Sequence, residues 1–273
     1  TWIWPYKNRT ESIRGVFDMN QYLSSASLKA MARGQLLGKY GTVIGAYLLH
    51  FLCIVPVTMI ASRVIGTDSI GSSLVYCAAS FLISLLTGFF LAGEAFIYLK
   101  IACGQIPAVS DLFHCFHGDQ SKVLRIQSIM AAASVLSSLP SMIVGSIMGR
   151  SLLIMVLGGP PTGSQAPLFL LFTVFYVAGT AVMIFVRLLL SQAYYLMLDF
   201  PEYTAPQLVR MSIRLMKGHK GRLFYIQLSF FPLMMLSMFS CGIGMLWLLP
   251  YMDATSANFY LDLIRKSKGK AVD

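Results

Sequence analysis

Charge is what this sequence has least of. Asp, Glu, Lys and Arg make up 12% of its 273 residues, where a soluble domain carries roughly 25%. So few charged groups cannot cover a water-facing surface of that size. The apolar excess, 56% of the residues with a mean hydropathy of +0.70, must face lipid instead. Acidic residues are scarcer than basic ones, 11 against 21, for a net charge of +10. In a membrane chain that balance reflects loop charges that fix orientation, so no nucleic-acid partner is expected. Cysteine is also sparse. Cys53, Cys77, Cys103, Cys115 and Cys241 show no CxxC spacing and are odd in number. Cysteines in apolar runs behave as small hydrophobes, which argues against a disulfide framework. No nucleophile elbow, P-loop, Rossmann loop, HExxH or EF-hand loop is present. The longest internal stretch outside the apolar runs, residues 199–222, is too short to fold alone.

What the chain does have is apolar runs long enough to span a bilayer, about 20 residues each. They cover about 41–62, 72–99, 123–148 and 167–198. A further run from Leu223 to Ile264 would be about 63 Å long as one helix, twice the bilayer core. Cys241-Gly242-Ile243-Gly244 is its natural turn, because glycine tolerates turn geometry, so it divides into spans at 223–240 and 242–264. With six spans and the N-terminus inside, 18 of the 21 Lys and Arg are cytoplasmic. Only Arg63 and Arg150 lie outside, and Arg187 lies within a span. Five spans would leave 14 against 6. The positive-inside rule therefore favours six, with both ends in the cytoplasm. Residues 1–18 show no cleavable signal peptide and read as a polar leader or tag-like extension before one polytopic domain, 19–273.

Three segments read as short amphipathic helices beside the cytoplasmic face. In 22–39, Lys29 and Arg33 share one side, and 107–117 offers Leu112, Phe113 and Phe116 as apolar contacts. In Ala205–Gly218, Gln207, Arg210, Arg214 and Lys217 oppose Leu208, Met211, Leu215 and Met216. Helped by Lys220 and Arg222, that basic side forms a candidate face for anionic headgroups or a protein partner. Gly41/Gly45 and Gly145/Gly149 are candidate close-approach pairs between helices.

The C-terminal third carries a resemblance. Asp199, Pro201, Met216-Lys217-Gly218-His219-Lys220, Arg222-Leu223-Phe224, Leu228-Ser229-Phe230, Gly242-Ile243-Gly244, Trp247, Pro250-Tyr251, Thr255, Ala257 and Phe259-Tyr260 stand in one block. That block, with the opening LKAMARGQLLGKYGTVIGAYLL, resembles the bacterial membrane-protein family known as domain of unknown function 975. Gln227 stands where an acid is expected, and Phe231-Pro232 where the family has Gly-Trp, so helix packing there is expected to differ. The resemblance implies a polytopic topology and the bacterial cytoplasmic membrane. It implies no activity.

Three ionisable residues fall inside spans: Glu94, Arg187 and Asp253. Charges there are costly and usually face a partner or a wet cavity. Counting from Tyr194, Tyr260 and Tyr98 as interfacial belts puts Arg187 and Asp253 about 10 Å deep and Glu94 about 6 Å deep. This depth argument pairs Arg187 first with Asp253 and then with Glu94. Asp111, His114, Cys115 and His117 are the nearest thing to a metal site, but a helix would turn Cys115 away from the two histidines. No metal and no cofactor are expected. His50, alone in the first span, reads as packed. The sequence thus describes a non-enzymatic accessory, scaffold or lipid- or partner-binding component. Its partners are membrane lipids and, at most, another membrane protein. The alternative is a transporter or channel for a small or amphiphilic solute using Glu94, Arg187 and Asp253. An intramembrane enzyme acting on lipid ranks below both for want of a motif.

Overall fold

The computed structural model describes residues 22–65, 69–118, 120–149, 151 and 165–269. The extension expected over 1–18 lies outside them. Among the described residues all regular structure is helical. In order these helices are α1 (Ser25–Leu36), α2 (Tyr40–Ile65), α3 (Ile70–Ala102), a 3-10 turn (Val109–Phe113), α4 (His114–His117), α5 (Gln120–Met148) and α6 (Ala166–Leu190). They continue with α7 (Ala193–Asp199), α8 (Ala205–Leu215), α9 (Lys220–Leu228), α10 (Phe231–Phe239) and α11 (Met245–Gly269). Five are long and apolar enough to cross a membrane: α2, α3, α5, the α6–α7 run and the α9–α10 run. These fall on the first five expected spans, and the chain is an all-helical membrane protein. α9 and α10 are separated at Ser229–Phe230, just before Pro232, whose ring cannot donate a helical hydrogen bond. The expected turn between the last two spans is present. Cys241 and Gly242 both adopt positive φ, 53° and 83°. α11 then begins apolar, carries Asp253 in its first half, and has Asp262, Arg265 and Lys266 in its second.

The described chain divides into two compact units. One comprises residues 51–88 and 124–187. There the Gln127 amide donates to the Ser84 carbonyl and hydroxyl at 2.9 and 3.0 Å. A Cβ on Gly88 would sit 2.6 Å from the Gln127 side chain, and one on Gly179 would sit 2.3 Å from the Ser137 carbonyl. Of the expected pairs, Gly41 and Gly149 meet nothing within 4 Å and Gly45 meets the Val109 side chain at 3.6 Å. Val144 and Met148 pack with Leu168, Phe169, Phe172 and Phe175.

The other unit, residues 1–50, 89–123 and 188–273, contains a repeat. Ser24 and Thr204 precede α1 and α8. Then, always 180 residues apart, come Leu28 and Leu208, Ala32 and Ser212, Leu36 and Met216, Gly38 and Gly218, Val43 and Leu223, Ala46 and Ile226. Every one of these apart from the glycines and the two capping residues is at most 2% exposed. The two glycines have φ of 74° and 84°, the left-handed geometry that lets a helix stop and the chain re-enter the next. A shorter middle copy runs from Ala108 through Leu112 and Gly118 to Val123. The helices before each cap also end alike: Ala95-Phe-Ile97-Tyr98, Ala193-Tyr-Tyr195-Leu196 and Ala257-Asn-Phe259-Tyr260. The same pattern therefore recurs three times: a short capping segment, a turn, the start of an outgoing helix and the buried aromatic end of a returning one.

Each capping helix lies on the returning helix of the copy before it. The 3-10 turn and α4 lie on α3, where Lys100 pairs with Asp111 at 2.6 Å and His114 stacks on Phe96 at 4.0 Å. α8 lies on α6–α7, where the Ser212 hydroxyl donates to the Leu189 carbonyl at 2.8 Å. α1 lies instead on the returning helix of the third copy, α11. There the Asn258 amide donates to Gln35 at 2.8 Å, and the Leu23 N–H donates to the Asp262 carboxylate at 3.3 Å. Arg222 donates to Asp262 and to the Leu23 carbonyl, both at 2.6 Å, and Arg265 donates to Asp262 at 2.9 Å. The Asp262 side chain has no exposure. Removing one partner of such a buried pair leaves the other uncompensated. We therefore expect Asp262→Ala to destabilise the protein in detergent by about 3–5 kcal/mol. Arg265→Ala, which leaves Arg222 in place, should cost at most about 1 kcal/mol. Thermal unfolding of the purified variants measures both.

Candidate functional site

The two acids expected inside spans, Glu94 and Asp253, take partners other than Arg187. His50 and Tyr47 stand three apart on one face of α2. The His50 Nδ1 lies 2.8 Å from the Glu94 carboxylate, with its ring stacked on Phe90 at 4.9 Å. The Tyr47 hydroxyl donates to the Asp253 carboxylate of α11. Glu94 is buried and Asp253 half-buried, whereas Arg187 is exposed on α6. A single face of α2 thus holds an acid from α3 and an acid from α11. The position of Glu94 is repeated as Gln192 in the second copy and Ser256 in the third, so all three returning helices carry a polar group there. Counting residues could find the depth of these acids but not the side of the helix they face. The pairing of Tyr47 with His50 at i, i+3 was the available signal.

The basic candidate face divides in two. α8 buries Ala205, Leu208 and Ser212 and leaves Arg210, Arg214 and Lys217 exposed. Its start is fixed by Gln207, whose side chain accepts from the Thr204 N–H at 2.9 Å, a capping arrangement that satisfies a free helix-end donor. Arg222, by contrast, turns inward to Asp262. Its guanidinium lies 5.0 Å from the Tyr22 ring and 4.9 Å from the Phe259 ring. It is a structural residue, and its place in the lipid face is corrected accordingly. Lys220 is half-buried.

The Asp111–His117 segment is built for packing. Asp111 is held by Lys100 and by the Ala108 N–H, His114 by Phe96, and His117 lies 3.3 Å from the Phe113 carbonyl. Cys115 is buried, and that burial pushes its thiol up to about 11. On α1, burial and then the neighbouring Arg33 charge lower the pKa of Lys29. Its ammonium donates to the Ser229 carbonyl at 3.2 Å and lies 4.0 Å from the Phe230 ring.

The family model described as "Protein of unknown function (DUF975)" matches residues 19–267. The chain belongs to this family. No curated protein and no solved structure matches it. The match includes α1 and all three copies of the module, so the capping helices are part of what the family model describes.

The geometry of the acids sets a test. Tyr47→Phe and Asp253→Asn should be non-additive by about 0.5–1.5 kcal/mol, the usual worth of one hydrogen bond. Arg187→Leu and Asp253→Asn should add within about 0.5 kcal/mol. Unfolding of the single and double variants in detergent decides between the partners. Coupling between Arg187 and Asp253 would restore the ion pair.

Proposed function

We propose that the protein is a non-enzymatic component of the bacterial cytoplasmic membrane that engages acidic lipid headgroups at its cytoplasmic face. One observation carries this reading. α8 uses its apolar side to pack within the protein and leaves Arg210, Arg214 and Lys217 together in solvent. Two cations a turn apart on a helix, with a third in the turn that follows it, suit an anionic surface, where each is worth about 1 kcal/mol. The transport alternative draws on Glu94 and Asp253. Both acids already have hydrogen-bonding neighbours in His50 and Tyr47, an arrangement that orders a bundle without carrying an ion.

Two experiments address the reading. Hydrogen exchange over 205–217 should be slower in nanodiscs containing phosphatidylglycerol than in those of phosphatidylcholine. Replacing Arg210, Arg214 and Lys217 by Gln should abolish the difference. Protection that follows an added soluble protein, and not the lipid, would mean that the face serves a partner. Topology is tested separately, because the reading requires six crossings with both ends inside. The exposed Cys241 should react with a membrane-impermeant maleimide in intact cells, and a cytoplasm-only reporter fused after Asp273 should be active. A C-terminus found outside rejects the orientation.

A further inference from the structure

A cleft of about 560 Å³ opens beside α10 and α11 in the unit that contains the repeat. Its far end is lined by Phe239, Gly244 and Trp247, its middle by Leu236 and Tyr251, and its near end by Tyr40 and Arg33. Leu236, Phe239 and Trp247 are all more than half exposed, so the wall is apolar and open. Both helices belong to the third hairpin, whose α9–α10 arm is apolar enough to span a membrane. Among the described residues lining the cleft, Arg33 is the only charged one. It approaches the ring of Tyr251, 5.9 Å from the ring centre, from α1. The next cation along the same side of α1 is Lys29, which is occupied with Ser229 and Phe230.

These features point to one kind of occupant. A neutral hydrocarbon would use the wall and leave the guanidinium unused. A soluble anion would use the guanidinium and leave the wall unused. An amphiphile with an anionic head and an acyl chain satisfies both, and the volume lies within the usual range for small-molecule sites, about 300–1,000 Å³. Guanidinium also suits phosphate, because its planar array of donors can hold two oxygens at once. We propose that this cleft binds one anionic phospholipid, its phosphate on Arg33 and one acyl chain along α10 and α11 between Tyr251 and Phe239. The site is distinct from the α8 face and stands or falls without it. Arg33 has no cationic counterpart in the third copy of the module, where Ile213 occupies its position, so the cleft is a property of one copy and not of the repeat.

Trp247 supplies the readout. Trp2→Phe and Trp4→Phe leave it as the only tryptophan of the three. The protein in a non-ionic detergent is titrated with phosphatidylglycerol carrying a brominated acyl chain, and then with phosphatidylcholine carrying the same chain. Bromine quenches tryptophan only at contact. The expected result is saturable quenching by the anionic lipid at about tenfold lower concentration than by the zwitterionic one, the worth of one charge-assisted hydrogen bond. Arg33→Gln should remove that difference, and Arg33→Lys should retain most of it. Brominated lipid added to the variant with Arg210, Arg214 and Lys217 changed to Gln should still quench as the parent does, which separates this site from the α8 face. Equal quenching by the two lipids overturns the proposal. So does an Arg33→Gln protein, folded by its unchanged elution and emission, that still prefers the anionic lipid.

Discussion

A carboxylate with no contact with water must be matched from every side, and Asp262 is matched by residues distant in sequence. Arg222 comes from the start of the third hairpin, Arg265 from one turn further along α11, and the Leu23 N–H from the chain entering α1. The second and third copies of the capping helix have no such need, because each follows directly on the helix it covers. α1 packs instead on α11, far away in sequence, and Asp262 is the group that sets its place there. An apolar residue there would give α1 a greasy surface to lie on but no register along it. A buried charge answered by two guanidinium groups and a backbone N–H admits one position only.

The same logic explains which residues do packing and which remain available. Positions 28, 32 and 36 of α1 and 208, 212 and 216 of α8 point into the protein and are closed to solvent. The sides left over differ in chemistry. α8 presents Arg210, Arg214 and Lys217, and α1 presents Arg33 beside an apolar cleft. A repeated module with a fixed inner face and a free outer one can hold its fold while its surfaces diverge. Arg222 marks the boundary between the two uses, since it is basic and close in sequence to the exposed cations yet belongs to the inner set.

Hydropathy made the spans readable, because lipid imposes length and apolarity on each helix regardless of its neighbours. The turn at Gly242 was readable for the same reason, since no single helix could be that long. The partners of Glu94 and Asp253 were not. Depth along a helix follows from residue count, but the direction a side chain faces depends on how helices rotate against one another, and that is decided by packing. The repeat also escaped notice. Its copies share a pattern of buried positions more than identities, Ala32 against Ser212 and Leu36 against Met216, and its middle copy is one turn shorter. Leu28 and Leu208, the two glycines in left-handed geometry and the caps at Ser24 and Thr204 keep their chemistry, and they look ordinary until the helices they join are seen.

Closing the first module on the last has a consequence for how the protein is made. The returning helix that receives α1 leaves the ribosome long after it. Between the synthesis of Leu23 and that of Asp262 lie more than two hundred residues, which at ordinary translation speeds is a wait of roughly 10–50 s. During that interval α1, with Lys29 and Arg33, is an amphipathic helix at the membrane surface with its apolar side uncovered. That side stays without its protein partner until the third hairpin arrives. α1 is therefore made well before the helix that completes its packing.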